Sequence, residues 1–141
     1  MSHLVVDTSA LLAYFDASEP DHEAMAALID SVADLLVVSP YVVAELDYLV
    51  ATRHGVEAEL AVLDALTGGA WELAGLDVDD LVLARSVVAK YRDQVIGVAD
   101  ASNVVLAGRY RTRSIATLDR RHFDVLRPLT GGRFSVLPAT G

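Results

Sequence analysis

Five short apolar runs, each followed by a longer amphipathic stretch or the end of the chain, constrain this sequence more than any other feature. The runs fall at about 3–7, 35–39, 70–74, 114–117 and 133–137, and each reads as a strand. Helical patterns occupy about 8–15, 20–32, 40–53, 56–67, 78–92, 98–110 and 119–125. Strand–helix alternation predicts an α/β fold in which helices cover both faces of a mostly parallel sheet, a three-layer α/β/α sandwich. Local punctuation agrees. Ser39-Pro40 supplies an N-cap and a first-turn proline, Gly68-Gly69 ends the fourth helix, and Gly97 divides the fifth from the sixth. Asp77, Asp79 and Asp80 open a helix that Lys90 and Arg92 close, which suits the helix dipole and needs no functional account. With 141 residues and no repeat or long linker, a single domain over residues 1–141 is expected.

Charge divides along the chain. Residues 1–84 hold sixteen acids and one base, Arg53, for a net −15, whereas residues 85–141 hold four acids and ten bases, for +6. Seven arginines fall between Arg109 and Arg133. Two electrostatic faces are expected, the second suited to a phosphate-rich partner because arginine pairs bidentately with phosphate. A solvated basic rim is the plainer reading of the same residues. The absence of cysteine removes disulfides, thiolate metal sites and thiol nucleophiles. No basic leader precedes the first apolar run, and no run approaches the ~20 residues that span a bilayer, so a soluble, cytoplasmic protein is expected.

Four acids stand where acids are costly. Asp7 closes Leu4-Val5-Val6 and precedes a helix, so a buried strand delivers its carboxylate to the sheet's edge. Glu45 borders the core stripe of Val42, Leu46, Leu49 and Val50, while Asp47 on the same helix is expected to be solvated. Asp100 lies in the first turn of an almost wholly apolar helix and shares an azimuth with Val104 and Ala107. Asn103 borders that face and is placed to hold a carboxylate or a water. Asp119 follows the Ser114–Thr117 run at a second strand-to-helix junction. Each has a plainer role: helix capping for Asp7, Asp100 and Asp119, and a flank salt bridge for Glu45. Arg120 and Arg121 are placed to neutralise Asp119 at the surface. In an open α/β sheet, however, the carboxyl ends of the strands form the usual site crevice. Carboxylates converging there raise one another's pKa unless divalent cations are present. Oxygen donors without cysteine select Mg²⁺ or Mn²⁺, ions that activate water for phosphodiester cleavage.

Four segments together resemble the PIN domain family, and most of all its VapC toxins. They are Val5-Val6-Asp7-Thr8-Ser9-Ala10-Leu11, Ser39-Pro40-Tyr41-Val42-Val43-Ala44-Glu45, Asp100-Ala101-Ser102 and Ile115–Phe123. Each is weak alone, but their order and spacing are specific, and none of the four acidic positions departs from the pattern. The resemblance implies a metal-dependent endoribonuclease that uses Mg²⁺, with Mn²⁺ as a substitute. Asp7 and Asp100 would be the principal metal ligands, with Glu45 completing the cluster and Asp119 helping to hold the attacking water. Ser9 and Thr117 would support the acids by hydrogen bonds. The implied targets are structured RNAs such as tRNA or ribosomal RNA, cut to leave a 5′-phosphate and a 3′-hydroxyl. The implied partners are a small antitoxin, VapB-like, and a second copy of the chain. Arg120 and Arg121 are expected to contact RNA.

Two other functions stay open at this point. A phosphatase with Asp7 as nucleophile would need a second aspartate two residues on, where Ser9 stands. A non-catalytic RNA- or partner-binding module would be expected to have lost some of the acids. His3, His22 and His54 read as ordinary residues and Trp71 as core, while His122 reads as part of a structural turn in preference to an RNA contact.

Overall fold

The computed structural model describes residues 2–139. Five strands, β1 (His3–Val6), β2 (Leu35–Val38), β3 (Trp71–Leu73), β4 (Ser114–Ala116) and β5 (Ser135–Leu137), form one sheet in the order β3-β2-β1-β4-β5. Every pairing is parallel, with His3 opposite Leu35 and Val5 opposite Ile115. Among the described residues, seven α-helices connect or flank them: α1 (Thr8–Phe15), α2 (His22–Ser31), α3 (Pro40–His54), α4 (Val56–Leu66), α5 (Val78–Lys90), α6 (Val98–Arg109) and α7 (Arg120–Val125). Among the described residues, no helix is long and apolar enough to cross a membrane.

The two-residue period of the strands builds two cores. Leu4, Val6, Leu36, Val38 and Ala116 face α1 to α4, whereas Val5, Val37 and Ile115 face α5, α6 and α7. This is the expected three-layer α/β/α arrangement. The central strand β1 is apolar on both faces because it is covered on both, and its three valine and leucine side chains are fully buried.

Expected boundaries move where local chemistry intervenes. The helix expected over 78–92 stops at Lys90, and a 3₁₀ turn at Arg92–Gln94 leads to Val95, which lies in the left-handed region at φ 51°. At its start, Asp77 and Asp80 make the reciprocal capping box that satisfies two helix-end donors. Ser39 caps α3 by accepting from the Tyr41 amide, and its hydroxyl also lies 2.7 Å from that of Ser102 on α6. The two helices that carry Glu45 and Asp100 are thus tied together inside the protein. Asp47 departs from expectation. It is half-buried, with Oδ1 shut away from water, and faces Glu59 of α4. The Glu59 carboxyl is pushed up first by its hydrogen bond to Asp47 and then by desolvation.

Candidate metal centre

The carboxyl end of β1 sets the site. The Asp7 amide continues the ladder by donating to the Ala116 carbonyl at 2.9 Å, which points the side chain into the crevice between β1 and β4. Asp7 occupies the N-cap position of α1 but makes no side-chain cap bond there. Its carboxylate, 4% exposed, is instead held at both oxygens: Asn103 Nδ2 donates to Oδ1 at 3.0 Å, and Thr117 Oγ1 donates to Oδ2 at 2.8 Å. Because the Thr117 hydroxyl has one hydrogen, already given to Asp7, Ser9 must be the donor in its 3.2 Å bond to Thr117. Ser9 in turn accepts from the Leu118 amide at 2.9 Å, and Thr117 accepts from the Asp119 amide at 3.0 Å. A relay of hydroxyls therefore couples the β4–α7 junction to the orientation of Asp7.

The other three acids reach the same place from different elements. Asp7, Glu45, Asp100 and Asp119 all line one cleft of about 380 Å³, together with Thr8, Ser9 and His122. Glu45 is exposed on α3 and accepts from the Thr8 hydroxyl at 2.5 Å. Asp100 is half-buried in the first turn of α6. Asp119 precedes α7 without a side-chain cap bond. His122 Nδ1 lies 2.7 Å from Asp100 Oδ2 and 3.1 Å from Asp119 Oδ2. Ionised carboxylates only accept, so that nitrogen carries the hydrogen and bridges the two acids.

Two of these side chains were not legible as site residues. His122 is no mere turn residue, since it joins two of the acids. The available signal was its position three residues after Asp119 on a short helix, which puts both on one face. Thr8 was hidden by its place beside Asp7. Nor do the neighbouring arginines neutralise Asp119 as expected: Arg120 donates to the Pro138 carbonyl, and Arg121 is exposed with no carboxylate partner among the described residues. Both line a recess of about 400 Å³ that adjoins the cleft through Ser9 and Asp119.

The electrostatics are those of negative charge without enough compensation. The Asp7 carboxyl is pushed up to about 6, first by burial and then by the charge of Asp100. The hydrogen bonds from Thr117 and the Thr8 amide offset part of this, and Glu45 adds a smaller push. Asp100 is also raised by burial, with the His122 contact pulling the other way. Among the described residues, no lysine or arginine forms an ion pair with any of the four acids. One ligand atom each from Asp100, Asp119 and His122 lies within 4.8 Å of the others. Converging carboxylate oxygens, and an acid raised by burial and then by the charge of its neighbours, fit a hard divalent cation.

A parallel sheet whose carboxyl end gathers four acids, two from strand ends and two from helices, defines a class of proteins. The PIN domain model matches residues 4–127, and the chain belongs to that family. It is 69% identical over 135 residues to Ribonuclease VapC26 of Mycobacterium tuberculosis (strain ATCC 25618 / H37Rv), covering 96% of this chain and all of that protein. The fold is similar to that of the sarcin–ricin-loop-cleaving toxin VapC20 of M. tuberculosis, at TM-score 0.77 and 19% identity over 82% of this chain and 89% of that one. It is also similar to a toxin–antitoxin complex from Klebsiella pneumoniae, at TM-score 0.68 and 15% identity over 87% and 92%.

Proposed function

We propose that this chain, as one PIN domain over residues 1–141, is a Mg²⁺-dependent endoribonuclease, the toxin of a toxin–antitoxin pair that inhibits translation by cutting structured cellular RNA. The observation that carries the proposal is the convergence of Asp7, Glu45, Asp100 and Asp119 on one cleft without an arginine or lysine partner among the described residues. The ribonuclease named among its relatives, 69% identical, supports the same reading.

Asp7 and Asp100 would hold the ion, with Glu45 completing the set and Asp119 at its side; Mn²⁺ is an expected substitute. The ion supplies positive charge that favours ionised water and the crowded, anionic transition state at phosphorus. The protein's own contribution is preorganisation. Asn103 and Thr117 fix the two oxygens of Asp7, Ser9 fixes Thr117, and Thr8 fixes Glu45, so no carboxylate has to reorient as substrate arrives. Water adds to phosphorus as the bond to O3′ breaks, and the departing O3′ takes a proton from solvent, leaving a 5′-phosphate and a 3′-hydroxyl. Asp119, at the rim, would orient that water and take its proton, supported by the contact of the His122 N–H with its carboxylate. Arg121, exposed beside the cleft, and its neighbour Arg120 would meet the RNA backbone.

The proposed partners are a small VapB-like antitoxin whose tail covers the cleft and a second copy of this chain, in the cytoplasm. Support comes from a neighbour in fold described as VapBC2 from Rickettsia felis bound to a promoter DNA fragment (TM-score 0.69, 15% identity, 94% of this chain and 97% of that one). The test is digestion of total cellular RNA by the purified protein in Mg²⁺, Mn²⁺ or EDTA, beside Asp7→Asn and Asp100→Asn. Discrete fragments that need metal and vanish in both variants are expected. A folded protein that binds RNA but cuts nothing under any metal would make it a binding module instead.

A further inference from the structure

The arginines between Arg109 and Arg133 do not share one task. Arg109 is committed to Asp80 and the Gly75 carbonyl, Arg120 to the Pro138 carbonyl, and Arg127 to carbonyls of its own turn. Arg111 and Arg113 are both exposed, and among the described residues neither guanidinium pairs with a carboxylate. Both line a cavity of about 590 Å³ with Thr112, Pro128, Thr130 and the α6 end at Gly108, and no acid lines it. The cavity lies at the amino end of β4, whose carboxyl end leads to Thr117 and the acidic cleft.

Local backbone shapes the setting of these side chains. Arg111 follows α6 at φ 55°, the left-handed conformation that glycine adopts at least cost after a helix. The Thr112 amide reaches back to the Ala107 carbonyl at 2.9 Å, which closes the helix end around Arg111. Gly132, at φ 82°, lies against the other guanidinium. A Cβ there would stand 3.1 Å from Arg113 Cζ and 3.2 Å from Nη1. The chain thus accepts an unfavourable residue at 111 and omits a side chain at 132, and the result is two uncompensated forks facing one acid-free cavity.

We propose that Arg111 and Arg113 form a docking site for the RNA backbone, separate from the acidic cleft. The identity of the ligand rests on the nuclease reading. Guanidinium forks match phosphate oxygens in geometry as well as charge. Helix α6 links the two sites, with Asp100 in its first turn and Arg111 just past its end. At 1.5 Å per residue the separation along the axis is roughly 16 Å, a distance one folded RNA can bridge with phosphates at both ends. The site also answers a difficulty of charge. A strongly acidic protein needs a local cationic anchor if RNA is to approach a cleft lined by carboxylates.

The test uses intact protein in EDTA, where cleavage is expected to stop, and unfractionated tRNA as ligand, with affinity measured over a range of KCl concentrations. The double variant Arg111→Gly/Arg113→Gln should fold at least as well as the parent, because glycine relieves the strained backbone. Its slope of log affinity against log salt should be shallower by about 1 to 2. Arg53→Gln, which removes one charge elsewhere, should leave the slope unchanged. In Mn²⁺ the double variant should show a raised KM for folded RNA, an unchanged kcat and normal cleavage of an oligonucleotide too short to reach both sites. A wild-type slope in the double variant, or an equal loss per charge in Arg53→Gln, would overturn the site. If the protein cuts no RNA, the nuclease reading fails, while the slope measured in EDTA still decides whether these arginines bind the backbone.

Discussion

Ser39 and Ser102, 63 residues apart in sequence, share a 2.7 Å hydrogen bond in the fully buried interior. Ser102 gives its own hydrogen to the Ala99 carbonyl at 2.7 Å, so Ser39 is the donor. Ser102→Ala should therefore leave a buried hydroxyl without an acceptor and cost about 1–3 kcal/mol. Ser39→Ala also loses the α3 cap, at about 1 kcal/mol. The double variant should cost less than the sum, as read by urea denaturation. Additive losses would mean that the two hydroxyls do not communicate.

Asp7 carries a stability cost while it lacks a cation. Its pKa rises from 3.8 to about 6 on folding, so the unfolded state releases its proton first as pH rises. The sign follows: in the metal-free protein this one carboxyl lowers stability between about pH 4 and pH 6 and has no further effect above, a loss on the order of 3 kcal/mol. Asp7→Asn should melt higher than the parent at pH 7 in EDTA and lose that pH slope. A variant that melts lower in EDTA would contradict the burial account of this carboxylate.

His122 holds Asp100 and Asp119 together through one N–H. Its replacement by alanine should destabilise the metal-free protein by roughly 1–3 kcal/mol. Added Mn²⁺ should then raise the melting temperature of His122→Ala more than that of the parent, because a cation can take over the joining of the two acids. Equal shifts would place the ion away from this pair.

Legibility in the sequence followed the range of the interactions. Strand–helix alternation gave the layers and the parallel sheet, and the junctions at Asp7 and Asp119 gave two of the acids. Asp100 and Glu45 were legible from helical azimuth, since apolar neighbours at Val104 and Val42 fix which face turns inward. Thr8 was not, because Glu45 lies 37 residues away and no local period encodes the contact; His122 offered only its three-residue spacing from Asp119, and its bond to Asp100, 22 residues away, has no local sign. Asp47 misled for the same reason: its surroundings are set by the packing of α3 on α4, which brings up Glu59.

Asp16 provides a check far from the cleft. The Ser18 hydroxyl and amide, then His54, lower its pKa from 3.8 to about 2. A depressed carboxylate contributes stability above about pH 4 and loses it as pH falls toward 2. The stability difference between the parent and Asp16→Asn should be largest near neutrality and vanish at the acid end of a denaturation series. A difference that persists at pH 2 would assign the effect to packing instead.

The pairing of β1 with β4 sets a schedule as well as a shape. Val5 meets Ile115 and Val6 meets Ala116, so the crevice that holds Asp7 is walled by residues that leave the ribosome more than a hundred positions later. At about 5–20 residues per second, Asp7 waits roughly 5 to 20 seconds for Thr117 and Asp119 to be made. Until then the nascent chain has an acid with no partners. The paired cleft exists only once β4 and the turn after it have been made.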